Sequence, residues 1–244
     1  MKKEHKVFVN SFFVPALIVI LMWTVKIAEV VFDFRLSFLG VRPLSVEGLP
    51  GILLAPFLHG DWNHLMANSV PMLALGTGLF YFYRSIAFPV LILITVLTGA
   101  WVWLGAREAT HIGASGVIYG LSAFLMVSGL IRRHPRLMAL SMVVVFLYGG
   151  MIWGVFPEFF PERNISWESH LAGMVAGLIL ALYFKKEGPQ RPKYSWEFEE
   201  EAEEEAKSDD TSSSHTDDEK DEYWNVPEPD KNELKVVYRL RRKG

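Results

Sequence analysis

The chain has 244 residues, 51% of them hydrophobic and 21% charged, and its charges are unevenly spread: residues 1–186 hold 14 basic and 9 acidic side chains, residues 187–244 hold 10 and 18. The apolar residues lie almost wholly in the first part, in stretches close to the roughly 20 residues that cross a ~30 Å hydrocarbon layer, which argues against a soluble globular enzyme. The lack of any Cys excludes a disulfide, a thiol nucleophile and a Cys-ligated metal.

In chain order, six stretches are predicted as membrane helices, about residues 11–32, 63–83, 86–104, 115–131, 137–155 and 168–184. The fold class that follows is an all-α polytopic membrane protein. The first stretch is too long for the core of a cleaved leader, and no small-residue cleavage site ends it convincingly, so it is expected in the mature protein. Between it and the second, Asp33 to His59 mixes Phe34, Phe38, Leu39, Leu53 and Phe57 with glycines and prolines. That pattern predicts a first outer loop partly embedded in the membrane face, which requires its backbone to be paired internally or packed on protein. The Gly149-Gly150 pair would ease bending of the fifth span. The connection Phe156 to Trp167, rich in aromatics and prolines, is expected to form a second outer loop able to cap a cavity.

Short cytoplasmic connections are enriched in Lys and Arg. Lys2, Lys3 and Lys6, then Arg84, then Arg132, Arg133 and Arg136, then Lys185 and Lys186 all fall on one side of the six-span arrangement. Both termini are therefore predicted to be cytoplasmic. The chain divides into a membrane domain, residues 1–186, and a tail, 187–244, whose acidic, Ser-rich composition predicts disorder. Its basic end, Lys235 to Lys243, could meet anionic lipid or the acidic run itself.

Strongly polar residues at membrane depth are costly and point to function. Three sets occur, each near the outer end of a span. The second span opens His59-Gly60-Asp61-Trp62-Asn63-His64, and His64 shares a helix face with Asn68. The fourth opens Gly113-Ala114-Ser115-Gly116, with Ser115, Tyr119 and Ser122 on one face and Gly113, Gly116 and Gly120 at close-packing intervals. The sixth opens Ser169-His170, with His170, Gly173 and Gly177 on one face. Small residues every fourth position let two helix backbones approach closely, which predicts that Ser115 and His170 come within hydrogen-bonding reach. A nucleophile, a base and extra donors then lie at one depth.

At these residues the chain resembles the rhomboid family of intramembrane serine proteases, over about residues 10–184. The resemblance implies a bacterial-type six-helix core in which Ser115 is nucleophile and His170 its general base. It implies also that the Ser115 N–H, His64 and Asn68 form the oxyanion site, that His59 braces it, that the Tyr119 ring packs on the His170 imidazole, and that Gly113 lines the same cavity. Two features depart from the family pattern: Ser169 stands where Ala is usual, and Gly40-Val41-Arg42-Pro43 replaces a Trp-Arg pair in the first outer loop.

A Ser hydroxyl becomes a useful nucleophile when a base within about 2.6 to 3.2 Å takes its proton. No Asp or Glu is written into the helical faces beside His170, so a Ser–His dyad without a third carboxylate is expected. The reading is an endopeptidase that cleaves transmembrane segments of other proteins near the outer face of a bacterial plasma membrane, with lipid as its surroundings, and with no metal, cofactor or nucleic acid. A metalloprotease built on His59, His64, His111 or Asp61 lacks the His-Glu-x-x-His helix. An inactive relative that only binds membrane helices would be expected to have lost Ser115 or His170. A transporter would need paired half-helices and ionisable relays in mid-membrane.

Overall fold

The computed structural model describes residues 2–148, 166–190 and 198. Among these the regular elements are helices, apart from one isolated bridge between Val41 and His111, in the order α1 (Lys2–Val31), α2 (Gly51–Leu54), α3 (Trp62–Phe82), α4 (Ala87–Gly105), α5 (Ser115–Arg132), α6 (Pro135–Tyr148) and α7 (Trp167–Tyr183), with short 3-10 turns between and after them. Five of these helices, α1, α3, α4, α5 and α7, are long and apolar enough to cross a membrane. The expected span at 137–155 corresponds to α6, and its last residues, Gly149 and Gly150 included, lie outside the described residues. So do Phe156 to Ile165 of the expected cap and nearly all of the expected tail. Contacts group Met1–Pro192 as one compact unit.

α5 is the hub. It touches α3, α4, α6 and α7, and its Ile118, Leu121, Phe124 and Leu125 are fully buried against Leu65, Met72 and Leu79 of α3 and Ile94 of α4. The seam between α5 and α7 has almost no side chains in it. A methyl group built on Gly173 would overlap the Gly116 carbonyl, and one on Gly177 would overlap the Gly120 carbonyl. Such contact is reached only where both backbones are bare, as the spacing of those glycines predicts. α1 packs on α3, with Pro15 seated against Gly76. Phe12, Phe13, Leu17, Ile20 and Leu21 of α1 are exposed, which suits a lipid-facing helix.

The first outer loop packs on protein. Trp103 Nε1 of α4 donates to Ser45 O at 2.8 Å, Leu44 N donates to Trp103 O at 2.9 Å, and Val41 and His111 exchange two backbone hydrogen bonds of 2.9 Å. Gly51 lies flush on the backbone of Gly40 and Val41, and Gly99 of α4 lies on Ile52. The loop's polar backbone is thus satisfied where it leaves water.

Three details differ from the sequence expectations. α1 begins at Lys2 rather than near residue 11, because no helix breaker precedes the apolar run. Gly113 lies outside the face of α5: it precedes the helix with φ +107°, a conformation that L side chains rarely adopt. Arg132, expected among the loop cations, is the buried last residue of α5. It donates to Ser128 Oγ (2.9 Å), Phe184 O (2.6 Å), Pro189 O (2.9 Å) and Lys185 O (3.4 Å), and lies 5.4 Å from the centre of the Tyr83 ring. It ties the end of α7 to α3 and α5, and four acceptors and an aromatic face make its burial tolerable.

Candidate active site

Ser115 is the first residue of α5 and His170 stands in the first turn of α7. The bare glycine seam draws these two helix starts together, and Ser115 Oγ lies 2.9 Å from His170 Nε2. The Tyr119 ring, one turn into α5, stacks on the imidazole with ring centres 4.1 Å apart and planes 6° from parallel. The hydroxyl–imidazole approach is within reach for proton transfer, and the stacked ring restricts how the imidazole can turn. Ala114, at the N-cap of α5, has no side-chain acceptor for the first amides of that helix, which leaves the Ser115 end of α5 suited to receive a developing negative charge.

His64 and Asn68 reach the Gly113 turn, just before Ser115, from α3. Asp61 caps this helix, its carboxylate accepting from His64 N at 2.8 Å. Asn68 Nδ2 donates to His64 O at 3.1 Å. A methyl group on Gly113 would stand 2.7 Å from His64 Cε1 and 3.8 Å from Asn68 Nδ2. The missing side chain at Gly113 is what lets the His64 ring lie over the turn that leads into Ser115. His59 meets His64 edge-to-face, with ring centres 5.0 Å apart. Burial pushes the His59 imidazole down to about 4, helped by the nearby positive potential of His64 and Lys26 and opposed by Asp61. His59 is therefore a neutral, packed support at ordinary pH.

Ser122, expected on the face of Ser115 and Tyr119, has a buried hydroxyl that finds no hydrogen-bond partner among the described residues, and nothing here joins it to the site. Of the four groups named for a metal, His59 and His64 lie together, His111 engages Ser166 and Arg107, and Asp61 caps α3; among the described residues no cluster of three or more His, Asp or Glu could hold an ion.

Sequence reasoning missed a clamp behind His59. Lys26 of α1 donates to the carbonyls of His59 and Gly60, both at 3.0 Å, and pairs with buried Glu29 at 3.4 Å. Glu29 Oε1 accepts from Leu36 N at 2.7 Å. One signal was available: a Lys and a Glu three residues apart inside an otherwise apolar span need partners. Glu168, in the first turn of α7, pairs with Arg107 at 3.3 Å.

A Rhomboid domain model matches residues 47–187, which contain every residue of this site. The chain belongs to the rhomboid family. Relatives of this rhomboid include an uncharacterized protein of Mycobacterium tuberculosis, 38% identical over 174 residues, 67% of this chain and 70% of that protein. A putative rhomboid protein of Acanthamoeba polyphaga mimivirus is 30% identical over 138 residues, covering 54% and 73%. A RHOMBOID-like protein of Arabidopsis thaliana is 28% identical over 145 residues, covering 57% and 46%. With its apolar spans and this membership, the chain is an integral membrane protein of rhomboid-like helical architecture.

Proposed function

We propose that this rhomboid is an intramembrane serine endopeptidase that hydrolyses peptide bonds in transmembrane segments of other proteins, with Ser115 as nucleophile and His170 as general base. The observation that carries the reading is the 2.9 Å contact between Ser115 Oγ and His170 Nε2 under a stacked Tyr119 ring. With the imidazole proton on Nδ1, Nε2 takes the hydroxyl proton as Oγ attacks the scissile carbonyl, then returns it to the leaving amine. The oxyanion so formed would be held by the Ser115 N–H, the His64 ring and the Asn68 amide. Such donors matter most where water is scarce, and losing one typically costs about 10² to 10³ in rate. Water then resolves the acyl-enzyme.

The charge pattern supports cytoplasmic termini, which puts the starts of α3, α5 and α7, and so the site, toward the outer face of a bacterial plasma membrane. The test is cleavage of a model transmembrane substrate by purified protein in detergent and in liposomes. Ser115→Ala and His170→Ala should each lower the rate by about 10³-fold or more, with melting near wild type. Undiminished cleavage by the Ser115→Ala protein would eliminate the serine mechanism. An inactive wild-type protein that still binds the substrate helix would instead favour a helix-binding role.

A further inference from the structure

Between the start of α5 and the start of α7 there is a second Ser–His contact, and it mirrors the first. His111 lies four residues before Ser115, and Ser166 lies four residues before His170. His111 Nδ1 is 2.7 Å from Ser166 Oγ, and His170 Nε2 is 2.9 Å from Ser115 Oγ. The two pairs form the rungs of a short ladder, with imidazole and hydroxyl exchanged between the uprights.

The lower-numbered rung is fixed from several sides. His111 Nε2 stands 3.1 Å from Arg107 O, which can only accept, so Nε2 carries a ring proton, and in the neutral ring Nδ1 accepts the Ser166 hydroxyl proton. Ser166 Oγ in turn lies 2.6 Å from Ser169 Oγ and accepts from Ser169 N at 3.3 Å, which makes it the N-cap of α7. Ser166 O accepts from Ser169 N and His170 N. The hydroxyl of Ser169, the departure noted in the sequence, thus completes a chain from Arg107 O through His111 and Ser166 to the residue beside His170. The backbone N–H and C=O of His111 are both bonded to Val41, and its side chain is buried. Arg107 adds its pairing with Glu168 in the same turn of α7.

We infer that His111 is a positioning residue for His170: through Ser166 and Ser169 it fastens the first turn of α7 to the segment that delivers Ser115, and so sets the distance between hydroxyl and imidazole. This rests on the proposed Ser115–His170 chemistry. His111 touches no reacting atom, and its effect is on geometry, where misplacement of about 1 Å can cost up to 10²-fold in rate.

The experiment uses the full-length protein with steady-state cleavage of a transmembrane substrate and amide hydrogen exchange over residues 166–170. His111→Ala is expected to lower kcat about 10- to 100-fold with KM within about twofold, and to speed exchange at Ser169 and His170. His111→Asn, whose amide oxygen can take the place of Nδ1, is expected to restore most of kcat. A His111→Ala protein with wild-type kcat and wild-type exchange overturns the inference, and so does one whose loss Asn fails to restore. Should His111→Ala not fold, Ser166→Ala carries the test, with the same fall in kcat expected and an unchanged kcat overturning. If wild-type protein cleaves nothing, the peptidase reading falls, while exchange at Ser169 and His170 still decides whether His111 fastens α7.

Discussion

At the scale of single residues the proposed reactive pair has beside it a support that stays uncharged at ordinary pH. That support is His59. Its folded-state pKa is pushed down to about 4 from the ordinary 6.5 by burial first and by neighbouring positive potential second. The unfolded chain therefore binds a proton that the folded protein refuses between those values, and stability falls as pH falls through that window. Above pH 6.5 the group contributes nothing. The loss from this side chain should reach about 2 kcal/mol by pH 5, read as a lower Tm in detergent. His59→Asn is expected to lose distinctly less stability between pH 7.5 and pH 5 than wild type. Identical decline in the two proteins would mean that the His59 ring finds solvent or a partner in the folded state.

The approach of Ser115 to His170 was legible from type and spacing, and His64 and Asn68 were legible as candidates beside it, because polar side chains at one depth of an apolar chain have few reasons to be there. Gly113 was legible as important but not for its reason. Counted on a helix face it suggested helix packing, whereas its positive φ and its contact with the His64 ring belong to a turn. His111 was visible only as a possible metal ligand, since its partner is a serine 55 residues away that no local pattern connects to it.

At the scale of elements, the glycine seam between α5 and α7 determines whether Ser115 meets His170. The spacing of Gly116, Gly120, Gly173 and Gly177 was readable: a carbon added to Gly173 or Gly177 would strike α5, and one added to Gly116 or Gly120 would strike Thr98 or Ile94 of α4 and stand 3.0 Å from a carbonyl of α7. Gly173→Val should force the helices apart, at a cost of about 1 to 3 kcal/mol or more from overpacking, and should lower Tm and cleavage together. Gly105→Ala serves as control, because nothing lies within 4 Å of the carbon it adds. Equal melting of the two variants would show that the seam yields without cost. Less of the other elements was legible. The short helices of the first outer loop take their shape from α4 and from Val41 pairing with His111, contacts distant in sequence. Arg132 read as a loop cation because a charge at the end of a span usually is one. Its burial depends on the carbonyls at the end of α7, which only the folded chain brings near.

At the scale of the whole molecule, two ends of one bundle do different work. At one end the starts of α3, α5 and α7 converge with the first outer loop to build a polar site from an apolar chain. At the other, Arg132 fastens α7 to the helices beside it. The order of the five described spans came from hydropathy alone, while of the sixth expected at 137–155 the described residues show only the shorter helix α6. The mutual depth of the polar sets followed from all three standing at helix starts on the same side.

The proposed chemistry depends on activation of the Ser115 hydroxyl by His170. Its most direct measurement is to treat the purified protein with a fluorophosphonate, which captures only activated serine hydroxyls, and to locate the adduct by peptide mass spectrometry. One adduct is expected, on the peptide that contains Ser115, absent from both the Ser115→Ala and the His170→Ala proteins. An adduct on another serine, or one on Ser115 that forms at the same rate without His170, would contradict it.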